Sequence, residues 1–300
     1  MNSWRDGVLL GSAGVLCFSG TAPATRLAVA FGPAAVTAGR IVIAAALGAL
    51  TLLAMRRLRW PGGRVAPGII VAGLGQAVGY PLFLALAVQQ VPANHAAVVI
   101  GLTPAATAAL SAVRTGERPP PRFWWACMIG FVVVTTFAVA EGGGGVQAAD
   151  AWLLAAVLST AVGYVEGGRI SAELGGTETL CWAMILLSPA AAVVVAMTLP
   201  GVAPGPAWVG FGYAGVFSMF LGSALWYRGL AAGGISRIGQ LNLAQPFLAI
   251  TWSSLLLCEH LTWAVPVTAA VVLACVAVCL RSSPNANPSS RLSTRCATPR

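Results

Sequence analysis

Apolar residues fall in ten long runs, each bounded by arginine, proline, glycine or a short polar stretch. The first five extend from Gly7 to Val29, Ala34 to Met55, Pro67 to Val88, Asn94 to Val113 and Phe123 to Ala140. The second five extend from Ala151 to Ile170, Thr179 to Leu199, Ala207 to Tyr227, Gly239 to Cys258 and Leu261 to Leu280. At roughly 18 to 23 residues each, they match the hydrocarbon thickness of a bilayer. Only helices satisfy their own backbone hydrogen bonds across hydrocarbon at these lengths, because spanning strands need about 9 to 11 residues and a closed barrel. The pattern predicts an all-α membrane fold with ten transmembrane helices.

The pattern is also written twice. Pro104 and Glu117 recur as Pro246 and Glu259 at an offset of 142, with Ser111 answered by Ser253. Arg26 and Gly32 recur as Arg169 and Gly175 at an offset of 143. Residues 7–140 are therefore expected to form one five-helix repeat and residues 151–281 a second. The join, residues 141–150, opens with Glu141 and Gly142 to Gly145 and reads as a flexible external linker. Residues 282–300 carry serine, proline, asparagine and arginine without acids, which predicts a disordered cytoplasmic tail able to touch anionic lipid.

Five is an odd number, so the second repeat must enter the membrane upside down and matching loops should carry opposite arginine bias. They do. The connection after span two holds Arg56, Arg57, Arg59 and Arg64, whereas its counterpart after span seven holds no arginine. Arg114, Arg118 and Arg122 follow span four, whereas Glu259 and His260 follow span nine. Inverted repeats around a central site are a recurrent transporter architecture.

Composition sharpens this picture. The chain is 58% hydrophobic, 8% charged and has a mean hydropathy of +0.83, against about 25% charge in soluble domains. Lipid must cover what solvated side chains do not. All 17 basic residues are arginine, against 8 acids, for a net charge of +9. They stand singly or in short groups between apolar runs, so there is no basic face for nucleic acid. Arginines near helix ends stay on the cytoplasmic side. With the N-terminus inside, all but Arg26 and Arg40 fall there, which predicts a multi-pass protein of the plasma membrane (bacterial inner membrane) with both termini cytoplasmic. Ala22-Pro23-Ala24 resembles a signal-peptide cleavage site, but cleavage there would delete the first helix of the repeat.

Some chemistry is set aside by what the spans contain. Cys17, Cys127, Cys181, Cys258, Cys275 and Cys279 lie in or beside apolar runs as small hydrophobes, no CxxC pair occurs, and His95 and His260 are the only histidines. No metal site is expected. There is no GxxxxGK[ST] and no lysine to supply one, so no nucleotide cofactor is expected and a gradient, with proton coupling as a hypothesis, would supply the energy. A membrane-embedded enzyme finds no serine nucleophile with a nearby base, no HExxH and no pair of intramembrane carboxylates.

Polar groups at membrane depth mark candidate transport sites. Glu166, on span six with Tyr164, is either a coupling carboxylate or counter-charge for a substrate amine, or the partner of Arg169 in a local ion pair at the interface. Arg40 lies about two turns inside span two, its charge paired, hydrated or bonded to carbonyls, and is expected to be structural in preference to a substrate contact. Gln76 and Tyr80 on span three, Asn94 on span four, and Gln240, Asn242 and Gln245 on span nine are candidate cavity groups or bond between helices. Trp226 is a further cavity candidate, although an interfacial aromatic belt is the usual reading of Trp226 and Tyr227 at the end of span eight. Pro104 and Pro246 are expected to kink equivalent helices in mid-span, as paired gates. Gly215, Ser218 and Gly222 have small-residue spacing that close packing explains.

Together these residues give the chain a family likeness. It resembles the drug/metabolite transporter superfamily, in particular its ten-helix EamA-type permeases, over about residues 7 to 281. The likeness is carried by Pro33 with Arg40, by Phe83-Leu84-Ala85-Leu86, and by the Pro104 to Glu117 and Pro246 to Glu259 repeats. It implies two inverted five-helix halves, a central cavity lined mainly by helices one, three, four, six, eight and nine, and export of amino acids, other small metabolites or drugs. Arg26 stands where the family commonly has lysine, a substitution that high-GC coding explains. A lipid or lipid-linked sugar flippase of the same fold is the alternative, and polar residues facing lipid at mid-depth would favour it.

Overall fold

The computed structural model describes residues 3–115, 120–141, 147–199, 202–233, 238–257 and 262–282. Glu117, Glu259, the glycine linker and the tail lie outside the described residues, as do the side chains of Asn94, Gln240 and Pro246. Every regular element among the described residues is helical. Helical segments occupy each of the apolar stretches, and among the described residues six runs have the length and hydropathy to cross a membrane.

The chain begins with α1 (Ser3–Ser19) and α2 (Thr21–Leu27), passes through a 3₁₀ turn and breaks into α3 (Gly32–Ala54). The break falls at Gly32, whose φ of +77° and ψ of 157° suit a residue without Cβ. Pro33 follows in the first turn of α3, where a missing N–H leaves no bond unmade. The same device recurs at Gly175, with φ +91° and ψ 144°, between α9 (Ala148–Leu174) and α10 (Gly176–Thr198). These are the two glycines that the sequence offset pairs.

Two further helices share a second irregularity. α4 (Ala66–Gly73) widens into a π-helical segment over Leu74–Gly79 before α5 (Tyr80–Ala87), and α11 (Gly205–Tyr213) widens over Ala214–Gly222 before α12 (Ser223–Gly233). Such segments turn side chains out of their α-helical register and are frequent at functional sites. The ends of the two segments meet equivalent neighbours: a Cβ on Gly79 would lie 2.8 Å from Ser159 Cβ, and one on Gly222 would lie 2.9 Å from Cys17 Cβ.

Proline acts differently from the expected mid-span kink. Pro104 sits at the second position of α7 (Thr103–Thr115), after a turn that separates it from α6 (Ala93–Ile100), so the helix is broken rather than bent. Proline has no N–H for the carbonyl of Ile100, and Thr103 Oγ1 donates to that carbonyl at 2.7 Å instead. Pro246 likewise falls at the second position of α13 (Gln245–Leu257), which follows a 3₁₀ segment over Gly239–Ala244.

The remaining helices are α8 (Pro121–Glu141) and α14 (Ala264–Ser282), which pack on each other. α3 packs along α10, α1 along α12, α5 and the first π segment on α9, and α6 on α13. α7 also meets α9, and α1 meets α13. The core beneath them buries Leu52, Ile69, Leu84, Leu153, Leu180 and Met184. The outer surface exposes Leu9, Leu16, Val113, Trp125, Leu158, Val193 and Met197, an apolar coat that a water-facing protein avoids and a bilayer accepts. The molecule is a multi-pass membrane protein.

Candidate functional site

A narrow, partly open cavity with several polar groups in its wall lies between helices of the first and second halves of the chain. Residues far apart in sequence converge on it: Phe18 from α1, Arg40 from α3, Gln76 and Tyr80 from the α4–α5 run, and Thr103 from α7. Thr160 and Tyr164 come from α9, Ser218 and Ser223 from the α11–α12 run, and Asn242 and Gln245 from the 3₁₀ segment and start of α13. Of the sequence candidates, the cavity thus gathers Arg40, Gln76, Tyr80, Tyr164, Asn242 and Gln245. Pro104 lines an adjoining cleft, which shares Tyr80, Asn242 and Gln245 with the first.

Both π segments feed this site. Gln76, in the first, donates from Nε2 to Ser223 Oγ at 2.9 Å and accepts from the Tyr227 hydroxyl. Ser218, in the second, accepts from Arg40 Nη2 at 3.0 Å and pairs with Thr21 Oγ1 at 2.7 Å. Arg40 Nε donates to the carbonyl of Ala214 at 3.1 Å. Ser218 therefore does more than permit close packing: its hydroxyl joins α2, α3 and the second π segment. Ser218, Ser223, Thr103 and Thr160 were not singled out as cavity groups from sequence. A hydroxyl in an apolar helix commonly bonds its own turn, as Thr160 does to the carbonyl of Ala156 at 2.8 Å, and carries no signal of its direction.

Trp226 and Tyr227 are not an interfacial belt, being 1% and 2% exposed. Nor does Trp226 line the cavity. Its ring is packed behind the wall, 6.1 Å from Phe18 and 5.7 Å from Tyr164 between centroids. α12 continues to Gly233, so a span judged to end at Tyr227 places both rings too near the interface.

Glu166 faces away from the cavity. Arg169 Nη1 donates to it at 2.5 Å and Arg114 Nε at 2.8 Å, and both arginines are more than half exposed. Asp150, a buried acid, takes His95 Nε2 at 2.8 Å and closes the N-terminal capping box of α9 by accepting from Gln147 N. This His95–Asp150 pair joins α6 to α9. Arg26 donates to the carbonyl of Val88, tying the end of α2 to the end of α5.

A membrane helical bundle with a polar-lined cavity between its helices, which are broken or widened around it, is the architecture of a membrane transporter, and the family match assigns that class. The chain belongs to the EamA-like transporter family, which matches it twice, over residues 5–139 and 147–281. It is 40% identical over 288 residues to the uncharacterized transporter YdeK of Bacillus subtilis (strain 168), an alignment that covers 94% of this chain and 99% of YdeK. A solved crystal structure, 23% identical, superposes with a TM-score of 0.67 over 94% of this chain and 98% of its own, a likeness of fold. Membership brings a small-molecule substrate and a lipid bilayer as partners.

Proposed function

We propose that this chain is a secondary transporter that exports a small organic solute by alternating access, with ten spans arranged as two inverted five-helix repeats, residues 7–140 and 151–281. The observation that carries the reading is the cavity between apolar helices, built from polar groups of both halves. Its walls include both π segments and both proline-led helix starts, the points at which one half can move against the other.

Reciprocal packing supports the repeat. If the first five spans map in order onto the second five, the contact of α1 with α12 answers that of α9 with the α4–α5 run, and the contact of α1 with α13 answers that of α7 with α9. The pairs α3 with α10, α6 with α13 and α8 with α14 map onto themselves. The matched glycine breaks, the matched π segments and the double family match point the same way.

Arginine bias supports cytoplasmic termini in the bacterial inner membrane. The polar groups at depth are enclosed by protein rather than turned to lipid, which favours a metabolite, amino acid or drug over a lipid headgroup. Proton coupling through Glu166 lacks such support, because its carboxylate is held by two arginines outside the cavity.

Purified protein in liposomes, screened with amino acids and cationic drugs under an imposed pH gradient, is expected to carry at least one of them. Folded protein that moves no solute refutes the reading. Tags at both ends that report from the exterior refute the topology.

A further inference from the structure

The guanidinium of Arg40 has more capacity than its protein partners use. Nε and Nη2 meet uncharged acceptors, the carbonyl of Ala214 and the hydroxyl of Ser218, while Nη1 is buried without a partner. No carboxylate among the described residues forms an ion pair with it, and the buried or half-buried acids are taken elsewhere: Asp150 by His95, Glu166 by Arg114 and Arg169, Glu178 by Arg57. Arginine does not shed its proton at physiological pH. A residue only 1% exposed thus holds a full positive charge inside an apolar bundle, where an uncompensated charge is strongly unfavourable.

The same guanidinium lines the central cavity. So does Asn242, whose Oδ1 is the second buried polar atom without a partner at this site. The hydroxyls of Thr103 and Thr160 give their protons to backbone carbonyls, and Arg40 Nη1 is a strong donor with no acceptor among the described residues. Phe18, Ile100 and Met219 supply apolar parts of the same lining.

We propose that Arg40 is the anion-recognition point of this transporter and that the cavity takes a small solute bearing a carboxylate on a short apolar body. The carboxylate accepts from Nη1 in a charge-assisted hydrogen bond and neutralises the buried charge. The apolar body lies against Phe18, Ile100 and Met219, and the amide of Asn242 meets a donor on the solute. This inference rests on the transporter reading.

The test uses the full-length protein in liposomes and a panel of short aliphatic and aromatic 2-hydroxycarboxylates, whose hydroxyl supplies the donor for Asn242, each paired with its carboxamide, for example 2-hydroxy-4-methylpentanoate with 2-hydroxy-4-methylpentanamide. Counterflow and thermal stabilisation are measured, with sodium chloride and inorganic phosphate as anion controls. At least one carboxylate is expected to be carried and to stabilise the protein, with its amide at least tenfold weaker. Arg40→Met should raise the KM of that carboxylate at least tenfold, and Arg40→Lys should restore part of the loss. Equal behaviour of acid and amide overturns the inference, as does saturation of the effect by chloride or phosphate alone. If Arg40→Met does not fold, the acid-to-amide ratio in the native chain decides. Should a cationic dye be carried while no carboxylate is, the inference falls and the transporter reading stands; should folded protein carry nothing, both fall.

Discussion

Replacing Gly75 by alanine tests whether the first π segment is held against α9 by backbone contact. A methyl at Gly75 would lie 2.6 Å from Ser159 O, 2.7 Å from Gly163 N and 3.0 Å from Gly163 Cα. All three are backbone atoms of α9, so no change of rotamer relieves the contact. Ordinary contact begins at 3.4 Å, and α9 must therefore retreat by about 0.8 Å. A gap of about 0.5–1 Å forfeits a quarter to a half of the dispersion well for each atom pair it opens. Overpacking by one methyl costs typically about 1–3 kcal/mol, and a backbone obstacle puts this site at the upper end. Alanine returns about 0.5–1 kcal/mol over glycine in a helix, leaving a net loss of about 2 kcal/mol. At about 1.4 kcal/mol per tenfold, that is a shift of roughly 25- to 30-fold toward the unfolded state.

The next residue is Gln76, bonded to Ser223 and Tyr227, so the displaced backbone also pulls on the cavity wall. Thermal unfolding of Gly75→Ala in detergent, followed by size exclusion, should show a clear drop in melting temperature, with transport falling in parallel. Gly212→Ala is the control: a Cβ there meets nothing within 4 Å, and the variant should match or slightly exceed the native chain. If Gly75→Ala melts with Gly212→Ala and transports normally, the close approach of the π segment to α9 is not a constraint on this protein and the reasoning fails.

Other substitutions separate structural from transport roles. Asp150→Ala leaves buried His95 without its carboxylate and removes the α9 capping box, a combined loss of about 2–4 kcal/mol, whereas Asp150→Asn keeps an acceptor and should lose less; chemical or thermal melts compare the two. Glu166→Gln should change stability by less than about 1 kcal/mol and leave the pH profile of transport intact, because its arginine partners are solvent-exposed; a flattened pH profile would restore the coupling role. Trp226→Ala should cost about 3–5 kcal/mol in thermal stability, and Trp226→Phe much less, since the indole N–H it loses has no partner; equal losses would mean that ring volume is not what Trp226 contributes.

Where the helices lie was legible in the linear order of residues, because burial in lipid makes two demands that act locally: about 20 consecutive apolar residues, and a backbone that satisfies itself. Gly32 with Gly175 and Pro104 with Pro246 were legible as pairs for the same reason, since each imposes its geometry on its own stretch of backbone. Even so, proline revealed that the helix departs from regularity, not how. The outcome at Pro104 depended on Thr103 taking the orphaned carbonyl of Ile100.

The cavity obeys a different rule. Arg40 and Ser218, Thr21 and Ser218, Gln76 and Tyr227 lie 178, 197 and 151 residues apart, and nothing local distinguishes a hydroxyl that faces a neighbour helix from one that bonds its own turn. The partner of Glu166 one turn away could be read from i,i+3 spacing, whereas Arg114 could not. Hydropathy is a property of each segment and survives being read in one dimension. The pairing of rare polar groups is set by which helix faces meet, how far each runs beyond its apolar stretch and where a π turn rotates the register, and those are settled when the bundle packs.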